Sequence, residues 1–328
     1  MRILSVDDDP IILDLLTEVL ASIGQTDVTV AESATQAFDI LQSDCLPFDC
    51  FLLDIQMPEI DGIQLCAALR HMPLYQRTPI IMITAMSDKS YIDKAFSAGA
   101  MDYVTKPFDV VELGARVRIA ENLVEARNNN AKIISAAKPT ETVYKVEKSY
   151  TLEERFPIDN VDGVIDYIAL ENYICQLSRG SLFGSSILGF HITDIDRIFQ
   201  ASSAFDYESI ITDVAESITN CLSCSQYLVS YAGNGTFACV YSSDQKLAPA
   251  AFEKEIRDSI SSMGLYYSDG RPIVLTVVAG SPIRLTFRSG QKIADALLEA
   301  CISAENIEYE YHTDAVAMSN KYIQGQAG

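Results

Sequence analysis

The chain has 328 residues, a length that suits two domains. Hydrophobic residues make up 48% and charged residues 21%, a globular balance that excludes disorder throughout. Lys and Arg number 24 against 45 Asp and Glu, and the resulting net charge of −21 opposes nucleic-acid and anionic-membrane partners.

Apolar runs such as Pro272–Ala279 are too short to cross a bilayer. Three aspartates by residue 9 speak against a signal peptide, so the expected location is cytoplasmic. The eight cysteines lie mostly in apolar stretches, as Cys50, Cys66 and Cys239 do, and read as reduced core residues. Cys221 and Cys224 have metal-ligand spacing, but no second Cys/His pair lies near them, and packing is the expected role.

The first half alternates strands and helices. Strands are predicted at Arg2–Val6, Val28–Ala31, Asp49–Asp54, Pro79–Thr84 and Met101–Val104. Helices are predicted at Pro10–Ile23, Ser33–Ser43 with Ser33 as N-cap, Ile60–His71, Lys89–Ala98 ended by Gly99, and from Asp109 onward. Runs such as IIMI lack alternation and suit strands covered on both faces. The expected fold class is α/β, a flavodoxin-like doubly wound parallel sheet.

The last of these helices is predicted to extend over 109–138. Apolar residues at Val110, Leu113, Val117, Ala120 and Val124, with Ala131 and Ile134 in phase, fit either a parallel coiled-coil stalk that makes a homodimer or an amphipathic connector. A polar linker over 139–157 follows. The second domain is expected over 158–313. Its predicted helices are Val161–Leu177, Asp206–Leu222, Pro249–Met263 and Gly290–Ser303. Its predicted strands are Ser186–Thr193, Gln226–Tyr231, Thr236–Tyr241, Arg271–Ala279 and Ile307–His312. Gly233-Asn234-Gly235 reads as a hairpin turn, and Tyr266 and Tyr267 as half-buried packing. Residues 314–328 read as a flexible tail.

In a parallel sheet, chemistry gathers beyond the carboxyl ends of the strands. The first strand runs into Asp7 and Asp8, the third ends at Asp54, the fourth at Thr84-Ala85, and the fifth is followed by Thr105-Lys106-Pro107. Clustered carboxylates repel, and a hard divalent cation with oxygen ligands removes that cost. Asp54 can then serve as a nucleophile toward phosphorus, with Lys106 neutralising the incoming group and Thr84 donating a hydrogen bond to it. Asp9 reads as the N-cap of the first helix.

These residues, in the order DDD, FLLDIQMPEIDG, ITA and TKPF, resemble the response-regulator receiver family over residues 1–125. The resemblance implies phosphorylation of Asp54 by a histidine kinase or phosphotransfer protein. It implies Mg²⁺ held by Asp7, Asp8, Asp54 and the backbone carbonyl of Gln56. Ala85 and Lys106 would lie at the phosphate, Thr84 and Tyr103 would form a switch pair, and Lys106–Pro107 would be a cis peptide.

The second half resembles the GGDEF (diguanylate cyclase) family through GFHITDIDRIF (Gly189–Phe199) and SYAGNGTFACV (Ser230–Val240). Asp194 falls on that family's metal-ligand aspartate, and Gly233 and Phe237 on the ends of its signature. The second glycine falls on Asn234, and the two acidic positions fall on Gly235 and Thr236. Phosphodiester formation needs clustered carboxylates for two metals, so this resemblance implies an α/β cyclase-type fold without catalysis that acts through an unknown downstream protein. A noncanonical nucleotide cyclase or a GTP-binding sensor is the alternative. Asp194 also reads as an N-cap for the short helix after it, with Asp196 solvated.

Overall fold

The computed structural model describes residues 1–43, 46–85, 89–136, 151–177, 179–222, 226–242, 249–286, 288 and 292–307. The chain divides into two compact units, Met1–Lys145 and Val146–Gly328.

In the first unit the elements follow in the order β1 (Ile3–Val6), α1 (Pro10–Ser22), β2 (Val28–Ala31), α2 (Ala34–Ser43), β3 (Cys50–Asp54), α3 (Gly62–Arg70), β4 (Ile80–Thr84), α4 (Lys89–Ser97), β5 (Asp102–Thr105) and α5 (Val110–Ala136). All five strands are parallel in the order β2-β1-β3-β4-β5. This is the expected doubly wound sheet, with its reversal of strand order between β1 and β3. β1, β3 and β4 are buried along their whole length, which is why their sequences carry no polar alternation. Local caps match the sequence signals. Asp9 accepts from the Ile11 amide, Ser33 from the Gln36 amide, and Asp61 and Gln64 make a reciprocal capping box at the start of α3.

The stalk reading of α5 needs correction over its first three turns. Leu113, Val117 and Ala120 are wholly buried in the unit's own core with Leu16, Leu20, Ile81 and Val104. The apolar stripe that resembles a heptad seam there is the helix's packing face on β5 and α1, and it is not free to pair with a second chain. The side chains of Ala131 and Ile134 lie outside the described residues.

The second unit contains α6 (Tyr167–Gln176), α7 (Arg179–Phe183), β6 (Ser185–Ile192), α8 (Ile195–Ala201), α9 (Ala204–Cys221), β7 (Tyr227–Gly233), β8 (Thr236–Ser242), α10 (Pro249–Met263), β9 (Val277–Ala279), β10 (Ile283–Arg284) and a further helix, α11, over 292–307. Its sheet is antiparallel in the order β10-β6-β8-β7, with β9 also paired to β6. One face packs on α9 and α10 through Phe190, Tyr207, Ile211, Ile218, Phe237 and Ile256. The other face meets α11, where a methyl group on Gly189 would sit 2.1 Å from the Ala300 carbonyl oxygen.

Several boundaries differ from the sequence reading for identifiable reasons. The helix expected from Val161 begins only at Tyr167. Val164 instead bridges to Val229 of β7, with the Gly163 carbonyl accepting from the Val229 amide and the Ile165 amide donating to the Val229 carbonyl, and Asp166 caps the helix. The strand expected over Arg271–Ala279 shrinks to Val277–Ala279. Residues 271–273 fold back on Leu265–Tyr267, where Pro272 has no N–H to offer a ladder. Tyr266 is exposed in that fold-back, and Tyr267 is half-buried. Ile307 ends α11 and does not open a strand; residues 308–313 and the expected tail at 314–328 lie outside the described residues. The linker expected over 139–157 is also too long. Residues 151–157 pack on the second unit, with Phe156 in its core, while 139–150 lie outside the described residues. Cys224 is likewise outside them. No helix among the described residues is long and apolar enough to cross a membrane.

Candidate functional site

The carboxyl ends of β1, β3, β4 and β5 converge as the strand order requires. Asp7 and Asp54 are buried, Asp8 is exposed, and one carboxylate oxygen from each lies within 4.8 Å of the others. Lys106, in the loop after β5, reaches across them: its Nζ is 2.6 Å from Asp7 Oδ2 and 2.9 Å from Asp54 Oδ1. The Lys106–Pro107 peptide is cis, as expected, and the Lys106 amide donates to the Thr84 carbonyl at 2.7 Å.

Burial pushes the Asp54 carboxyl above its ordinary range. The Lys106 ammonium opposes this, and the negative charges of Asp7 and Asp8 add to it. Burial alone would lower the Lys106 ammonium, but its bonds to Asp7 and Asp54 outweigh that and hold it above its usual value. Two like charges about 5 Å apart repel by roughly 3 kcal/mol at an effective dielectric near 20. Three carboxylates and one ammonium leave two negative charges in the crevice. A divalent cation balances them, and an all-oxygen donor set with exposed Asp8 at its mouth suits Mg²⁺, which keeps several waters. Asp7, Asp8 and Asp54 are the residues that would hold it. Gln56 lies two residues past β3 in the adjoining loop.

Thr84 is wholly buried at the end of β4, and Ala85 beside it is exposed. Tyr103 is buried on β5, edge-on to Phe96 at 6.3 Å between ring centroids. Its phenol is raised by burial and by the charge of Asp102. Two features of this neighbourhood went unread in the sequence. Gly62 packs so closely that a methyl group there would lie 1.9 Å from the Asp54 carbonyl oxygen. Asp102, with no exposed surface, bonds Arg116 of α5 at 2.7 Å and its neighbour's amide at 2.8 Å. The glycine that ends MPEIDG, at the start of a helix, is the sequence signal for the first; an Asp and an Arg 14 positions apart mark nothing by themselves.

The second group of expected residues also comes together, with different chemistry. Gly233 pairs with Thr236 around Asn234 and Gly235, both at positive φ (53° and 66°), a two-residue turn of the primed type. Gly235 accepts from the Ile192 amide, which brings the turn beside the end of β6. Asp194 stands at the N-cap of α8 in a left-handed conformation. Its carbonyl accepts from Arg197 and Ile198, and its side chain makes no cap bond, contrary to the capping expected of it. Where the signature resemblance would place acids, Thr236 Oγ1 bonds His191 Nδ1 at 2.8 Å and Glu305 Oε1 at 2.9 Å. Phe237 is buried on the core face. Glu305 comes from α11, 69 residues along the chain, and no local pattern marks it.

Residues 3–118 match the family model described as response regulator receiver domain, a match that ends inside α5. The transcriptional regulatory protein KdpE of Staphylococcus aureus is 38% identical over 125 residues, 38% of this chain and 52% of KdpE. The signal transduction histidine-protein kinase BarA of Escherichia coli is 37% identical over 109 residues, 33% of this chain and 12% of BarA. The solved receiver domain of an HD domain-containing protein from Pseudomonas fluorescens is 31% identical, covering 38% of this chain and 97% of that one, with a TM-score of 0.35. The chain thus spans about half or less of the length of these curated relatives. The N-terminal unit is a two-component response-regulator receiver domain.

Proposed function

We propose that the protein is a phosphorylation-dependent response regulator in which Asp54 accepts a phosphoryl group from a histidine kinase or a phosphotransfer protein. The observation that carries this reading is Lys106 set between Asp7 and Asp54 inside the three-carboxylate cluster. An Asp54 carboxylate oxygen bonds to phosphorus as the bond from phosphorus to the donor imidazole nitrogen breaks, and the imidazole leaves. Mg²⁺, when bound by Asp7, Asp8 and Asp54, supplies the positive charge that lets an anionic phosphoryl group approach. Lys106 exchanges its Asp54 contact for a phosphoryl oxygen, and the Thr84 hydroxyl donates to another. The net added charge of about −1, a dianionic phosphoryl group in place of the carboxylate's single charge, then biases the Thr84–Tyr103 pair, and with it the start of α5.

The second unit is read as a non-catalytic, GGDEF-like output that acts through a downstream protein. Gly235 and Thr236 at the hairpin support this, because neither carries the carboxylate that a two-metal reaction requires. Homodimerisation, if α5 mediates it, rests on the helix beyond Ala120. Light scattering of the full chain with Mg²⁺ and beryllofluoride tests the reading. A change of mass or shape in wild type and none in Asp54→Asn is expected; binding of beryllofluoride that persists in Asp54→Asn would sink it. Incubation with GTP and Mg²⁺ tests the output, and any cyclic dinucleotide product would overturn the non-catalytic assignment.

A further inference from the structure

Between α10 and β9 the chain makes a short arm of two antiparallel segments, 265–267 and 271–273. The Tyr267 amide donates to the Arg271 carbonyl and the Ile273 amide to the Leu265 carbonyl, both at 2.9 Å, on either side of the facing pair Tyr266 and Pro272. The arm is fastened to its own unit. Leu265, Tyr267 and Ile273 pack against the core. At its tip the Asp206 carboxylate of α9 accepts from the Ser268 amide at 2.9 Å and from the Ser268 hydroxyl at 3.1 Å. Arg271 Nη2 donates to the Ala201 carbonyl at 3.3 Å.

In an antiparallel ladder this bonding pattern turns the amide and carbonyl of Tyr266, and the carbonyl of Pro272, outward from the arm. The two edges differ. Pro272 has no N–H, and proline is one means by which proteins blunt an edge. Tyr266 keeps both groups, and neither they nor its phenol have a hydrogen-bond partner among the described residues. Period-two alternation puts Tyr266, Pro272 and Val274 on the face away from the core. Tyr266 is 67% exposed and Val274 80%. Charge singles out the same place. In a unit with many more acids than bases, 263–274 hold one of each, Asp269 and Arg271, which neutralise each other at 2.7 Å.

We propose that this arm pairs edge to edge with the arm of a second copy of the chain, about a two-fold axis through Tyr266. Antiparallel pairing needs a residue whose N–H and C=O meet the C=O and N–H of the residue opposite. When both are Tyr266, one residue per chain satisfies every open group of that edge and fixes the register. The same axis stands the Tyr266 ring of each copy beside its counterpart on the apolar face. Two copies of an acidic protein repel over most of their surface and least where the local charge cancels. A contact this small belongs with transient interfaces, under about 1,200 Å² in all. The pairing rests on neither Asp54 nor α5.

Sedimentation equilibrium of the full chain over roughly 5–500 µM, the range of a weak interface, tests this. Wild type is expected to move from monomer toward dimer mass across that range. Tyr266→Glu and Tyr266→Lys each set like charges opposite one another across the axis, and each should weaken dimerisation about tenfold or more. Mixed in equal amounts, the two variants should associate more tightly than either alone, because the opposed charges then attract. Tyr266→Pro removes an N–H that makes no bond within the arm, so it should abolish the dimer while the Ser268 amide resonance stays in place. A monomer at every concentration overturns the pairing. So does a dimer that Tyr266→Glu leaves intact, which puts association on another surface such as the end of α5. Loss in both charge variants with no gain on mixing also overturns it, because the arm then meets a different segment.

Discussion

A side chain at Gly62 would place its Cβ 1.9 Å from the carbonyl oxygen of Asp54. The obstacle is backbone of the phospho-acceptor residue, so it cannot rotate aside. The N-terminal turn of α3 and the end of β3 are in contact because residue 62 has no Cβ, and the Gly62 amide bonds the Ile55 carbonyl at 3.0 Å across the same gap. Gly62→Ala is expected to destabilise the receiver by about 1–3 kcal/mol, as overpacking does. It should also weaken beryllofluoride binding by displacing Asp54. Urea denaturation paired with a fluorine-NMR titration checks both.

Lys106→Ala removes the ammonium shared by Asp7 and Asp54. Taking one partner from a buried ion pair costs about 3–5 kcal/mol. The loss should be largest without Mg²⁺ and should shrink as millimolar Mg²⁺ replaces the missing charge. Thermal melts with chelator and with Mg²⁺ measure the difference. An equal loss in both would argue against a shared electrostatic site.

Asp102 sets a pH dependence. Burial raises its carboxyl from 3.8 to about 6, with Arg116 opposing the shift. Between these values the folded chain holds a proton that the unfolded chain has released, so stability falls as pH rises from about 4 to about 6. The predicted drop from this group is about 3 kcal/mol, at 1.36 kcal/mol per pH unit. Asp54, also raised, adds a slope of the same sign that Mg²⁺ suppresses. Denaturation midpoints across pH 3.5–7 in Mg²⁺ should show the decline in wild type and a flatter profile in Asp102→Asn.

Leu113→Ala distinguishes the two readings of the α5 stripe. Because Leu113 is buried in the receiver's own core, its truncation should cost about 2–5 kcal/mol regardless of protein concentration. A residue in a dimer seam would give a loss that depends on concentration. Denaturation at two concentrations a hundredfold apart decides it.

Tyr231→Phe leaves the Gly235 amide and the Tyr207 hydroxyl short of a partner. A buried donor left unmade costs about 1–3 kcal/mol. The second unit's unfolding transition should shift by that amount, and the receiver's should not move.

The receiver is legible almost whole in the sequence. Its strands are short, apolar and separated by helices with local caps, and parallel order places their carboxyl ends together. Asp7, Asp8, Asp54, Thr84 and Lys106 each lie at or beside the carboxyl end of a strand, so topology alone assembles them, while Tyr103 lies nearer the amino end of β5. Local pattern was less able to assign α5, because a face buried on its own domain and a coiled-coil seam have the same three-and-four spacing. The second unit was harder still. Its alternation yielded β6, β7, β8 and the hairpin turn, yet two predicted elements were cut short, one by the distant pairing of Val164 with Val229 and one by the local fold-back of Pro272 on Tyr266.

Residue type and spacing thus carried much that local backbone preference and strand polarity govern: the receiver sheet, the caps at Asp9 and Ser33, the acidic cluster with its lysine, and the turn at Asn234-Gly235. The fold alone assigned what depends on long-range approach. That includes Gly62 against Asp54, Arg116 on Asp102, Glu305 on Thr236, and Gly163 and Ile165 on Val229. Such contacts join atoms tens of positions apart, and their energy comes from burial and hydrogen bonding that exist only once the chain has closed on itself.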